Sequence, residues 1–171
     1  GLEKVKTLHQ EGKDADAAKA LLDYYRARTN VKTPDINLKK VTISKDDQKM
    51  ADDALQHTFF AHKGYQPSFN YGEDIDWRYW PVKDNELRWQ LHRHKWFTPM
   101  GKAYRVSGDE KYAAEWTKQY IDWIKKNPLV KINKNEYELT GNTQLKDDAE
   151  NVRFAWRPLE VSNRLQDQTS Q

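Results

Sequence analysis

A chain of 171 residues is the length of one ordinary domain, or of one piece of something larger. Its 29 basic and 26 acidic residues leave a net charge of +3, too balanced for a general nucleic-acid binder but compatible with a local basic groove for an anionic ligand. Without cysteine there can be no disulfide or thiolate metal site, and no apolar run approaches the roughly 20 residues that a membrane span needs, so neither nucleic acid nor membrane is an expected partner.

Seven Trp and nine Tyr have to supply much of the core, each ring hiding roughly 150–250 Å². The chain opens Gly1-Leu2 with no Met, which suggests processing and a lost targeting signal. Leu2, Val5, Leu8 and His9 recur at helical spacing up to Gly12. Asp14 or Asp16 can cap a second helix through Ala17, Ala18, Leu21, Leu22 and Tyr25, making a helical hairpin. After an irregular stretch from Pro34, Ser44 before Asp46 and Asp47 predicts a third helix that includes Met50, Ala54 and Leu55.

Periodicity fails from about Thr58 to Val82. Gly64, Pro67, Gly72 and Pro81 stand among eight large rings, and so aromatic a segment is expected to pack over other elements or line a cleft. Asp84 or Asn85 can cap a long helix reaching Gly108, with Pro99 kinking or splitting it. A further helix runs from Asp109 to about Asn127, where Pro128 stops it, and carries the stripe Tyr112, Trp116, Tyr120 and Trp123 as a core face. Residues 129–150 read as a polar loop with a short hairpin, and helical pattern resumes near Arg153 toward Asp167. The fold class is therefore all-α: a string of antiparallel helices, either a bundle or part of an α/α toroid, with residues 1–171 as one region.

The stretches 52–57, 62–66, 71–73, 80–96, 104–112 (YRVSGDEKY) and 152–164 are distinctive when taken together. The runs WPVKDNELRWQLHRHKW and FAWRPLEVSNR above all resemble the N-terminal region of heparinase III enzymes of Bacteroides and relatives, in the heparinase II/III family, and the likeness covers nearly the whole chain. The resemblance implies an incomplete α/α toroid of helical hairpins followed by a β-sandwich domain. It implies β-elimination of heparan sulfate in the periplasm, with no cofactor, and heparan sulfate or a related glycosaminoglycan as partner together with the remainder of the chain. The family's catalytic Asn, Tyr and His residues are expected downstream, so the chain alone is expected to be inactive.

Such a lyase removes the proton at C5 of a uronic acid, expels the oxygen at C4, and must neutralise the carboxylate so that the enolate can form. A sulfated polymer also asks for Arg and Lys along a groove, with rings covering the sugar faces. Lys83, Asn85, Arg88 and His92 stand beside the aromatic segment, and Trp156, Arg157, Asn163 and Arg164 form a second group, so these are the candidate substrate-binding residues. The structural alternative pairs Arg88 with an acid and packs His92 between Trp89 and Trp96. The rings of Trp77, Tyr79 and Trp80 can be either core or contact surface. His92 and His94, two apart on a helix, would point to nearly opposite faces and cannot share a metal. Glu73, Asp74 and Asp76 resemble the paired carboxylates of a glycoside hydrolase only weakly. Besides the lyase, a non-catalytic glycan-binding or scaffold module and a glycoside hydrolase on a similar helical scaffold fit the residues.

Overall fold

Helix ends in this chain are set by a few glycines and capping side chains. The computed structural model describes residues 2–28, 40–59, 68–130 and 143–169, and the chain divides into two units, residues 1–37 and 38–171. In the first unit α1 (Glu3–Gln10) and α2 (Asp14–Arg26) pack together as the predicted hairpin. Gly12 makes the turn at φ 73°, a left-handed backbone that suits a residue without Cβ. There Lys13 N–H donates to Leu8 O at 2.9 Å, satisfying a carbonyl the helix end would leave open. The predicted aspartate cap on α2 is not made. Lys13 occupies the cap position without a side-chain bond, so Asp14 and Asp16 fall in the first turn and act on the helix dipole instead.

The second unit opens with α3 (Lys45–Ala54), and here the predicted cap forms, Ser44 Oγ accepting from Asp47 N–H at 3.0 Å. Ser44→Ala should cost about 1 kcal/mol, read as a lower urea midpoint; an unchanged midpoint would mean that tertiary packing alone holds this turn. Past α3 the helical period stops because His57 adopts φ 54°. The chain then forms a two-residue antiparallel ribbon, β1 (Thr58–Phe59) with β2 (Phe69–Asn70), pairing Thr58 with Asn70 and Phe59 with Phe69. Both His57 ring nitrogens face acceptors, Gly72 O at 2.7 Å and Glu115 Oε1 at 2.8 Å. These ties hold an unfavourable backbone in place.

Beyond the ribbon, α4 (Asn85–Leu91) is capped by Asp84, whose Oδ1 accepts from Glu86 N–H at 2.9 Å. The chain does not continue as a single helix kinked at Pro99. The break comes earlier, over His92–Trp96, with His94 at φ 52°, and α5 (Phe97–Ser107) starts afresh with Pro99 inside its first turn. A proline clashes with the carbonyl four residues back and lacks an N–H; in a first turn neither matters, so the break falls ahead of Pro99 and leaves α5 unbroken.

Gly108, at φ 70°, ends α5. α6 (Glu110–Lys126) comes next, capped by Asp109 through Lys111 N–H at 3.1 Å. Residues 131–142, which include most of the predicted loop and hairpin, lie outside the described residues. By Thr143 the chain is already helical, well before Arg153, and Pro158 divides the C-terminal stretch into α7 (Thr143–Ala155) and α8 (Pro158–Thr169). Apart from the ribbon, the regular structure among the described residues is helical, as the all-α reading predicts. None of these helices is long and apolar enough to cross a membrane.

The core of the second unit is a stack of rings. Phe59 lies nearly parallel to Trp96 at 4.0 Å between centroids, to Trp77 at 5.7 Å and to Tyr71 at 5.4 Å. The irregular aromatic segment is thus part of the core, contributing Tyr71, Ile75 and Trp77. The α6 stripe divides: Tyr112 and Trp123 are buried, whereas Trp116 and Tyr120 pack at its margin. Gln119, fully buried on the same face, accepts from Trp96 Nε1 at 2.9 Å and donates to Ala54 O at 2.9 Å.

Candidate functional site

Where the aromatic segment runs into α4, rings and cations alternate. Trp80 is fixed by its Nε1–H donating to Asp84 O at 2.9 Å. Lys83 Nζ stands 4.5 Å from the Trp80 ring centre, and the Arg88 guanidinium lies 5.1 Å from Trp80 and 3.7 Å from Phe154 of α7. Trp89 continues the row beside Phe154 at 6.3 Å, and Arg157 covers Trp89 at 4.1 Å. Cations on ring faces each contribute roughly 0.5–1 kcal/mol where exposed and more where water is excluded. The result is a ladder, Lys83–Trp80–Arg88–Phe154–Trp89–Arg157, that joins α4 to the ends of α7 and α8.

The eight candidate residues fall into two groups by exposure. Lys83 and Asn85 are exposed, and Trp156 and Arg157 are half-buried, as is Asn163. Arg88, His92 and Arg164 are sealed, at 7%, 0% and 4% exposure, too little to touch a polymer. Among the described residues Arg88 is not paired with an acid. It donates to Asn151 Oδ1 at 3.1 Å, and its Nε has no partner among the described residues. Asn151 donates in turn to Asn127 Oδ1 at 2.7 Å, and Trp156 Nε1 donates to Asn127 O at 2.8 Å. Arg164 donates to His92 O at 2.8 Å and lies over Trp123 and Trp156. Burial pushes its guanidinium down to about 10.

His92 packs against Trp123 and not between Trp89 and Trp96. Trp123 Nε1 donates to its Nδ1 at 3.1 Å, which leaves the ring proton on Nε2, a buried donor without a partner among the described residues. His94, also fully buried, accepts at Nδ1 from Gln168 Nε2 at 3.0 Å, and its Nε2 is likewise unpartnered among the described residues. Burial first, then the nearby Arg164 charge, holds both imidazoles well below their ordinary range. The opposite-faces argument for this pair does not apply, because His92 caps α4 and His94 sits in a left-handed turn. Both rings reach Trp123, at 6.2 and 5.1 Å.

Neighbouring charges are mostly committed to structure. Glu160, with no exposed surface, accepts from Arg93 Nη2 at 2.9 Å; Arg157 Nε approaches its other oxygen at 3.2 Å as a charge contact without hydrogen-bond alignment. Asp74 pairs with Lys126, and Asp76 Oδ1 accepts from Arg78 N–H at 2.9 Å, so these two serve an ion pair and a turn. Of the three rings left open by sequence, Trp77 is core and donates to Asp122 Oδ2 at 2.8 Å, Tyr79 is exposed, and Trp80 belongs to the ladder. The contributions of Phe154, Trp89, Asn127 and Asn151 had no local signal, since each works through a partner distant in sequence.

The Heparinase II/III N-terminus family model matches residues 1–171. The chain belongs to the heparinase II/III family. It is 92% identical, over its whole length, to a heparin-sulfate lyase of Bacteroides stercoris, of which it covers 26%. To a heparin-sulfate lyase of Pedobacter heparinus it is 49% identical over 97% of the chain and 24% of the relative. A solved heparinase III with methylated lysines aligns with a TM-score of 0.89 at 82% identity, over 99% of this chain and 26% of that one. The crystal structure of a heparan sulfate lyase from Pedobacter heparinus gives 0.75 at 46%, over 98% and 25%. This family member thus spans about a quarter of the length of the relatives it matches.

Proposed function

We propose that the heparinase II/III polypeptide containing this chain cleaves heparan sulfate by β-elimination at uronic acid residues, leaving a 4,5-unsaturated uronate. The carrying observation is 92% identity, over the whole of this chain, to a quarter of a relative bearing the name heparin-sulfate lyase. In this reading the helices are part of an incomplete α/α toroid, in a periplasmic enzyme of glycosaminoglycan breakdown, and form one wall of a glycan trough.

Exposure divides the labour within that wall. Lys83 and Arg157 present cations on ring faces, and Asn85 an amide, where sulfates and carboxylates of a glycan can reach them. Trp156, half-buried and fixed by its bond to Asn127, can add a ring edge. Arg88, His92 and Arg164 position this surface from beneath. The two imidazoles sealed below it are poor agents for moving the C5 proton, because a general base must come within hydrogen-bonding reach of that proton. Proton transfer is assigned to residues of the parent outside this chain.

The parent should release products that absorb in the ultraviolet through the new double bond. The 171-residue chain should retain heparan sulfate on a column without shortening it. Lys83→Ala and Arg157→Ala should each weaken that retention about two- to fivefold, as expected of exposed ion pairs worth roughly 0.5–1 kcal/mol, and added salt should weaken it further. Saturated ends from the parent would replace the lyase by a hydrolase. Unsaturated product from this chain alone would bring the acid and base inside it.

A further inference from the structure

We propose that the contact of α8 with the His92–Trp96 turn is an acid-released latch beneath the Trp156–Arg157 surface, holding that surface in shape at neutral pH and letting it go on acidification. The effect on glycan binding rests on the function proposed above; the latch itself does not.

α8 leans on both histidines. Arg164 donates to His92 O at 2.8 Å and Gln168 meets His94 Nδ1 at 3.0 Å, while Glu160 accepts from Arg93 at 2.9 Å. Neither imidazole can take a second proton where it stands. A proton adds to a neutral imidazole at its unprotonated nitrogen. In His92 that atom is Nδ1, and Trp123 Nε1–H already points at it from 3.1 Å. In His94 it is again Nδ1, facing the Gln168 amide. The Nε2 atoms of both rings are buried without a partner among the described residues, so a charged ring gains no hydrogen bond on that side either.

A new positive charge here would also meet its own sign. Arg164 of α8, Arg88 of α4 and Arg78 of the aromatic segment bear on His92, and Arg164 and His92 bear on His94. The acids of the surrounding elements are committed elsewhere. Glu160 takes Arg93 and Arg157, Asp122 of α6 takes Trp77 and Lys126, Asp167 of α8 bears on Lys95, and Glu150 of α7 and Asp76 bear on Arg88. Tyr120 of α6 acts on Arg164 and carries no charge to offset. Proton uptake therefore requires each ring to leave its donor, and α8 is the element that can yield. Trp123 is buried in the ring core, whereas α8 keeps Leu159 and Leu165 open to solvent. When α8 moves, Arg164 leaves the faces of Trp123 and Trp156, and Arg157, immediately ahead of the helix, leaves Trp89.

The experiment follows backbone hydrogen exchange of the full-length parent by mass spectrometry at pH 7, 6 and 5, corrected for the intrinsic pH dependence of exchange. Released imidazoles titrate near 6.5, so protection of α8 should fall at least roughly tenfold from pH 7 to pH 5, and that of residues 101–107 of α5 less than about twofold. An equal fall in both would mean that acid opens the whole unit, and an unchanged α8 would mean that the rings stay covered; either overturns the latch. His94→Gln should roughly halve the logarithmic fall in α8, since one protonation site is gone. An undiminished fall would assign it to other groups; should the variant fail to fold, the unmodified profile still decides. In the same buffers, a labelled heparan sulfate oligosaccharide followed by fluorescence anisotropy should bind at least about threefold more weakly at pH 5, although acid makes the protein more positive and Lys and Arg keep their charge. Affinity that holds or rises while α8 opens would overturn the control of the surface by the latch. No binding at any pH would count against the glycan reading alone, because the exchange profile decides the latch.

Discussion

Trp96→Ala should lower folding stability by about 3–5 kcal/mol, a large part of the roughly 5–15 kcal/mol that holds most domains together. The indole has no exposed surface and stacks on Phe59 at 4.0 Å, with Trp77 and Phe97 against its other sides. Its removal leaves a cavity between the ribbon and α5 that a row of rigid, nearly parallel rings cannot collapse to fill. It also removes the donor to Gln119 Oε1, leaving a fully buried acceptor without that bond. Trp96→Phe should lose less, because it keeps a ring in the stack and gives up mainly the hydrogen bond. Urea unfolding of the three proteins gives the ordering directly. A loss under about 1 kcal/mol for the alanine variant would mean that the ring stack is not the keystone of the core.

Much of this framework was legible because helix ends are local events. Ser44, Asp84 and Asp109 cap as their positions suggest, and Gly12 and Gly108 turn where they stand. Of the two readings of Pro99, kink or split, the split holds, but the break falls ahead of it, because a proline says where a helix cannot pass but not on which side it restarts. The resemblance was carried by two runs, residues 80–96 and 154–164, whose relation no local pattern discloses. In the structure they are two halves of one contact: Trp80, Arg88 and Trp89 from the first meet Phe154 and Arg157 from the second, and Arg164 reaches His92. Sequence spacing groups residues along one helix. It cannot tell that Arg88 will be covered by a ring 66 positions later, which is why charge and polarity suggested a substrate contact where burial gives a support.

The same contact makes the fold acid-sensitive. His92 and His94 are held well below their ordinary range by burial and by Arg164, with Arg88 and Arg78 adding to the effect on His92. In the unfolded chain both would titrate near 6.5. Below that pH the unfolded state therefore takes up protons that the folded state refuses, and stability falls. The contribution is fully present above about pH 6.5 and declines toward the depressed folded values, by up to about 1.4 kcal/mol per pH unit for each ring. Together they should make stability fall from pH 6 to pH 5. Asp167 is shifted the opposite way, raised by burial; its contribution is full below about 3.8 and is lost as pH rises through its folded value, so it runs against the histidine trend. Denaturant unfolding at pH 7.5, 6 and 5 should show the decline, and the double variant His92→Gln and His94→Gln should flatten it whatever its absolute stability. A flat profile in the parent chain would mean that these rings are hydrated or already charged in the fold, and the junction of α4, α6 and α8 would then be far looser than its geometry says.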